Sequence, residues 1–366
     1  MKKSAEFIIE PHIFIMHPKD RGFIGQSVLR LDNGELLMSA QCGRPPLDFT
    51  NLNGDVHMPT IYRSCDGGIS WNKAGKFNMK WDLEGIISDG GLTLLSLCDN
   101  RIAALFHTHV SGMKGGGLPA ISFSSDNGSN WTDAKSLCKE QLPYYVMNDR
   151  LIQLKCGRLV VPVACSVGDF EGDKDQSLCF YSDDGGENWK KSSTPVPNPK
   201  GERGMAEPCV VELSDGRLLL LARTGMGAHY KSYSQDKGET WSMAEKTSLI
   251  AACSPLTLKK MPDNRLIVVY NCAENVEKGA FFPRNPLAYA VSNDEGESWS
   301  EPVIIDAEGI ENEANSFSHI YPSICFLEDG ILVLYSSHFS DNTFNPKTEE
   351  QRKIGGGKMC LIKYPK

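Results

Sequence analysis

One eight-residue pattern, Ser-x-Asp-x-Gly-x-x-Trp, recurs five times along a chain of 366 residues. The copies start at Ser64, Ser124, Ser182, Ser234 and Ser292, so successive serines stand 60, 58, 52 and 58 residues apart. A near-constant period of this size means that one supersecondary unit is stacked or closed into an array. Within each copy the aspartate bonds nearby backbone and the glycine supplies positive φ, which is the chemistry of a tight turn. The tryptophan then folds back as an apolar plug under the turn. Five of the six tryptophans (Trp71, Trp131, Trp189, Trp241 and Trp299) lie in these copies. Turn chemistry explains every fixed position, so the pattern is read as scaffold and no catalysis is placed in it.

A second unit alternates with the first. Two short apolar runs flank a tight turn at Ser27–Leu31/Leu36–Ala40, Leu92–Leu97/Ile102–Phe106, Leu151–Leu154/Leu159–Val163, Val210–Leu213/Leu218–Ala222, Leu256–Leu258/Leu266–Tyr270 and Ile324–Leu327/Ile331–Tyr335. Such runs around Asp-Gly, Asn-Gly or Asp-Asn read as β-hairpins. Each of the first five hairpins is followed by one Ser-x-Asp turn, which gives about four strands per repeat with the turn joining the third and fourth. That is a propeller blade. The expected fold is an all-β, six-bladed propeller with residues 1–366 as one domain. The sixth repeat lacks the turn; its last strand is expected at Lys358–Tyr364, after a flexible Gly355-Gly356-Gly357. A strand near residues 6–16 is expected to pair into this blade and close the ring, leaving no open sheet edge.

Hydrophobic residues make up 40% of the chain and charged residues 23%, the balance of a soluble globular protein. A net charge of −8, with no Lys/Arg run interleaved with aromatics, argues against a nucleic-acid partner. No apolar run approaches the ~20 residues of a membrane span. Met1-Lys2-Lys3 opens like a secretory leader, but Glu6, Glu10 and Pro11 interrupt the apolar stretch that should follow. A cytoplasmic location is therefore expected, unless a leader has already been trimmed. The twelve cysteines contain no Cys-x-x-Cys pair and mostly sit in or beside apolar runs, as buried reduced thiols do. His107 and His109 would share one face of a strand, but no third ligand accompanies them. No metal or other cofactor is expected.

Propeller sites form where loops of several blades converge near the axis, so polar residues at the starts of inner strands are the candidates. Glu207 precedes Pro208–Leu213 and Arg223 ends the partner strand. Arg284 enters the strand before the fifth Ser-x-Asp turn, and Tyr321 precedes Pro322–Leu327. Arg44, Asp48 and Asp55 lie in the long first-blade loop, and Asn148-Asp149-Arg150 opens the third hairpin. Local roles compete with function: Arg223 would bridge Glu207 or Glu212, and Asp149 would pair with Arg150.

Together with the repeated turns, which correspond to Asp-boxes, these residues resemble the sialidase (neuraminidase) superfamily. The resemblance spans nearly the whole chain and is sharpest from Met205 to Ser300. Glu207-Pro208-Cys209-Val210-Val211-Glu212-Leu213 with Ala222-Arg223-Thr224, Arg284-Asn285-Pro286-Leu287 before the box at Ser292, and Tyr321-Pro322-Ser323-Ile324 ahead of Asp329-Gly330 are similar to family segments. The resemblance implies Tyr321 as nucleophile, Glu207 as its base, Arg223 and Arg284 as holders of a substrate carboxylate, and Asp55 as acid/base, with Asp48 its rival. Where the family carries its first arginine, in a Phe-Arg-Ile-Pro segment, this chain reads Phe23-Ile24-Gly25-Gln26-Ser27. Arg44, Arg150 or Arg21 would then have to complete the grip.

The residue types suit that chemistry. Planar guanidinium forks grip a carboxylate well. An anionic nucleophile would be repelled by a carboxylate on the anomeric carbon, whereas a neutral tyrosine activated by a glutamate would not, and sialidases are the tyrosine exception among glycosidases. The expected function is a retaining exo-glycosidase acting on a terminal sialic or related acidic sugar, with a glycan or small sugar as partner. Two alternatives stay open: a glycosidase or lyase for another sugar acid, and a non-catalytic carbohydrate-binding propeller.

Overall fold

The turn signals and apolar runs fold into six antiparallel sheets in the computed structural model, which describes residues 8–12, 27–40, 60–77, 85–110, 117–140, 142–166, 175–197, 204–274, 276–280, 283–308, 316–340 and 355–364. The first blade is β2 (Ser27–Arg30), β3 (Leu36–Ala40), β4 (Thr60–Ser64) and β5 (Asn72–Lys76). The second is β6 (Gly85–Ser96), β7 (Ile102–Val110), β8 (Ala120–Ser124) and β9 (Lys135–Ser136). In the third, β10 (Tyr144–Tyr145) and β11 (Ile152–Gln153) both pair with β12 (Leu159–Ser166), followed by β13 (Asp175–Ser182) and β14 (Lys190–Lys191). The fourth holds β15 (Met205–Glu212), β16 (Leu218–Thr224), β17 (Ala228–Ser234) and β18 (Glu245–Ile250). The fifth holds β19 (Leu256–Lys260), β20 (Leu266–Asn271), β21 (Leu287–Ser292) and β22 (Val303–Asp306). The sixth runs β23 (Ser316–Phe326), β24 (Gly330–Ser340), β25 (Gly355–Lys363) and then β1 (Ile8–His12), which closes the ring as expected. Among the described residues there is no helix.

All five Ser-x-Asp turns build the same Ser–Asp–Gly hydrogen-bond cage, and in the first three the tryptophan adds a bond of its own. In the third blade Ser182 Oγ donates to Asp184 Oδ1 (2.8 Å) and accepts from the Gly186 amide (2.9 Å). Asp184 in turn accepts from the Asn188 amide and side chain, and Trp189 Nε1 donates to the Gly186 carbonyl at 3.0 Å. These donors hold the Asp184 carboxyl down at about 2. Gly186 has φ +95° and lies so close to the second blade that a Cβ there would sit 2.5 Å from Phe123 Cζ. The turn of one blade thus packs on a strand of its neighbour. The core is correspondingly made between sheets: Leu105, Ile121 and Phe123 of the second blade pack with Leu159, Val161 and Phe180 of the third.

Two expectations need correction. Gly355-Gly356-Gly357 is not a flexible lead-in but the start of β25, in register with Ser336, Ser337 and His338; backbone pairing needs no side chain. Glu207 and Tyr321 do not precede their strands but lie inside them. The register of β15 on β16 shifts between Ala206 and Cys209, and that of β23 on β24 between Ile320 and Ser323. Pairing resumes before each bulge, so both strands extend further than the apolar run that marks them.

Candidate functional site

The two bulges are built alike. Each consists of a residue followed by proline, Glu207-Pro208 and Tyr321-Pro322, and the first residue of each takes a left-handed backbone, φ 47° for Glu207 and 53° for Tyr321. The proline has no N–H to add to the ladder, and an extra residue re-aims the side chain it carries. A bulky non-glycine residue at positive φ costs on the order of 1–3 kcal/mol and persists only where its surroundings enforce it.

The re-aimed side chains meet. The Tyr321 hydroxyl faces Glu207 Oε1 at 3.4 Å, longer than the 2.5–3.0 Å of a closed O–H···O bond. The second oxygen of Glu207 lies 3.1 Å from Arg223 Nη1, a charge contact without a hydrogen bond's alignment. Glu207 is buried and Tyr321 half-buried. Burial, and after it the Glu207 charge, push the Tyr321 phenol up to about 12, although Arg223 and Arg284 pull the other way. The phenol is neutral at physiological pH. Burial works against the Arg223 cation, but the Glu207 carboxylate outweighs it and the guanidinium is raised above its ordinary value.

Arg284 is the fourth expected member present. It is buried, its charge is felt by Tyr321, Arg223 and Glu207, and burial lowers its guanidinium from the ordinary value. Nη2 donates to the Cys253 carbonyl at 3.4 Å. Its backbone is fixed by Asn271, whose Nδ2 donates to the carbonyls of Arg284 and His319, each at 2.9 Å.

Arg150 is arranged differently from the expectation that it holds substrate. Its side chain is 1% exposed, and its terminal nitrogens donate to the carbonyls of Asn148 (2.8 Å) and Leu256 (2.9 Å). Nor do Asp149 and Arg150 pair with each other: Asp149 Oδ1 contacts Lys259 Nζ at 2.7 Å and Oδ2 accepts from the Ile324 amide. Arg21, Arg44, Asp48 and Asp55 lie outside the described residues.

Sequence reasoning passed over several neighbours. Tyr145 of the third blade is raised well above the usual phenol range by burial, then by the charge of Asp175, with Arg223 and Glu207 also acting on it. Asp175 itself accepts from Ser166 Oγ at 2.7 Å. His229 is fully buried, and burial with the Arg223 charge holds its imidazole down at about 3. These positions look like ordinary strand residues, and only the rule about inner-strand starts points near Tyr145. A separate cavity of about 380 Å³ lies at the other ends of the inner strands, lined by Gln153, Lys155, Glu212 and Lys259 among others. It contains none of Tyr321, Glu207, Arg223 and Arg284. Among the described residues, no group of histidine, cysteine and acidic side chains could hold a metal.

Residues 94–334 match the family model of the BNR repeat-like domain. A sialidase from Clostridium perfringens is 22% identical over 92% of this chain and 93% of its own length. Among solved structures, a protein of unknown function from Dyadobacter fermentans superposes with a TM-score of 0.69 at 19% identity, covering 97% of this chain and 98% of that one. The intramolecular trans-sialidase from Ruminococcus gnavus, in complex with oseltamivir carboxylate, superposes with a TM-score of 0.63 at 16% identity, covering 96% and 97%.

Proposed function

The chain belongs to the BNR repeat-like domain family of the sialidase superfamily, and on that premise we propose that it is a retaining exo-glycosidase that removes a terminal sialic or related acidic sugar. The observation that carries this reading is the Tyr321 hydroxyl held against a buried glutamate that is itself paired with an arginine. A site that only binds sugar has no need of a base behind a phenol.

In this reading the Tyr321 oxygen attacks the anomeric carbon as its proton passes to Glu207 Oε1. A phenol with its pKa pushed up to about 12 is a poor nucleophile unless its proton leaves during attack, so the base is part of the step. The glycosidic C–O bond breaks, and the leaving oxygen takes a proton from a separate acid, Asp55 or its rival Asp48. Arg223 and Arg284 hold the sugar carboxylate. Water, giving its proton back to that same aspartate, then displaces the tyrosine from the same carbon, the phenol recovers its proton from Glu207, and two inversions give net retention. The sialidase of Clostridium perfringens and the trans-sialidase of Ruminococcus gnavus, to which the chain is similar, support an acidic, sialic-type sugar.

The test is hydrolysis of a fluorogenic panel carrying sialic acid, its deaminated analogue, uronic acids and arabinose, with wild type and Tyr321→Phe. Turnover of an acidic member that is lost in Tyr321→Phe is expected. No turnover of any member, or turnover undiminished in Tyr321→Phe, would overturn the reading.

A further inference from the structure

We propose that Asn148-Asp149-Arg150 of the third blade is a positioning element that crosses the axis and fixes Tyr321 relative to Glu207, a role that rests on the reaction proposed above. The three residues reach four other blades. Asn148 Nδ2 donates to the carbonyls of Tyr321 and Pro322, each at 3.1 Å. Those two carbonyls are the bulge that aims the nucleophile. Asp149 Oδ2 accepts from the Ile324 amide at 3.0 Å, just past the same bulge. Arg150 Nη2 donates to Leu256 O at 2.9 Å and lies 3.5 Å from Glu207 O, the backbone of the other bulge. Its Nη1 donates to Asn148 O at 2.8 Å and approaches Thr257 Oγ1 at 3.4 Å, and its amide donates to Thr93 Oγ1 at 2.8 Å. Thr257 Oγ1 itself donates to Pro322 O at 2.6 Å.

Asn148, Asp149 and Arg150 are all at most 4% exposed, so these bonds form where water does not compete. Asp149 has φ 60° and repeats the left-handed backbone of Glu207 and Tyr321. Three unfavourable backbones are thus tied to one another as well as to their own strands. The Tyr321–Glu207 distance of 3.4 Å is set by this lattice, because the two residues belong to different sheets with no shared ladder. Arg150 suits the post, since its guanidinium presents five donors in a rigid planar fork, whereas an ammonium has three on a flexible stem.

The experiment compares Asn148→Ala, Arg150→Lys and the near-isosteric Thr257→Val with wild type. Each is measured for kcat and KM on the best substrate of the panel and for melting temperature. A fourth readout is the 13Cζ resonance of Tyr321 in tyrosine-labelled protein, assigned by its loss in Tyr321→Phe. Misplacement of reacting groups acts on kcat. Asn148→Ala and Arg150→Lys should lower kcat about 10- to 100-fold with KM changed less than about threefold. Thr257→Val, which keeps the volume, should lower kcat by a few-fold and tests the idea if the other two fail to fold. Unchanged kcat in the folded variants overturns the proposal, and so does a rise in KM alone, which would put Arg150 in substrate contact. Should wild type turn over no panel member, the resonance decides. It should move in Asn148→Ala and Thr257→Val as it does in Glu207→Gln, and an unmoved resonance overturns the positioning role whatever the reaction.

Discussion

Tyr321 and Glu207 stand 114 positions apart in sequence and in non-adjacent blades, yet the phenol oxygen of one lies 3.4 Å from a carboxylate oxygen of the other. In the proposed reaction Tyr321→Phe deletes the attacking atom and should lower kcat by at least about 10³-fold. Glu207→Gln keeps the shape and loses the base, with an expected loss of about 10²- to 10⁴-fold. The double variant should be no worse than Tyr321→Phe alone, because the two act as a unit. Steady-state kinetics on the panel check this, and additive losses would contradict it.

The Glu207–Arg223 contact should dominate stability as well. The Arg223 and Glu207 side chains are 13% and 4% exposed. Removing one member of a buried pair leaves the other uncompensated, at a cost of about 3–5 kcal/mol. Arg223→Met should therefore be strongly destabilising in urea titration. Adding Glu207→Gln to it should return much of the loss.

Arg284 should report on the charge of the substrate. Arg284→Ala is expected to raise KM for an acidic sugar by more than about tenfold, while binding of the methyl ester of the same sugar changes little. Equal losses for acid and ester would remove Arg284 from the carboxylate grip.

Two buried histidines give stability a definite pH dependence. Burial, reinforced by the Arg223 charge, holds His229 down at about 3, and burial, opposed by Asp306, holds His319 down at about 4, against an ordinary value of 6.5. Below 6.5 the unfolded chain takes up protons that the folded protein refuses, so stability is full above that pH and falls as the solution is acidified. Each histidine contributes a slope of up to about 1.4 kcal/mol per pH unit. The window runs from pH 6.5 down to about 4 for His319 and further for His229. Urea unfolding at a series of pH values should show the slope, and His229→Phe should reduce it.

The repeated turns should matter to stability and not to chemistry. Ser182→Ala removes the oxygen that caps the Gly186 amide and should cost about 1–3 kcal/mol. Gly186→Ala should cost more, because its φ is +95° and the new methyl meets Phe123. In both variants kcat per folded molecule should stay at the wild-type value.

The scaffold was legible in sequence because its signals are local. Each Ser-x-Asp turn and each hairpin is specified within about twenty residues, and the period counts the blades. Glu207, Arg223, Arg284 and Tyr321 were legible through a family resemblance joined to their place at the starts and ends of inner strands. The surroundings of Arg150 were not legible, for the opposite reason. Its partners are the carbonyls of Leu256 and Glu207, and a backbone carbonyl has no letter in a sequence. Tyr145 and His229 escaped because charge coupling across blades, unlike a turn, leaves no spacing to read.

In five of the six sheets the strands come from one continuous stretch of the chain, but in the sixth β1, from the other end of the chain, pairs with β25, Ile8 beside Lys363 and His12 beside Met359. The circle is therefore a clasped bracelet and not a welded hoop. Peeling that one strand would unfasten it while all the other sheets remained whole, and Tyr321, carried on the inner strand of the clasp, would be the residue of the candidate site most exposed to its loosening.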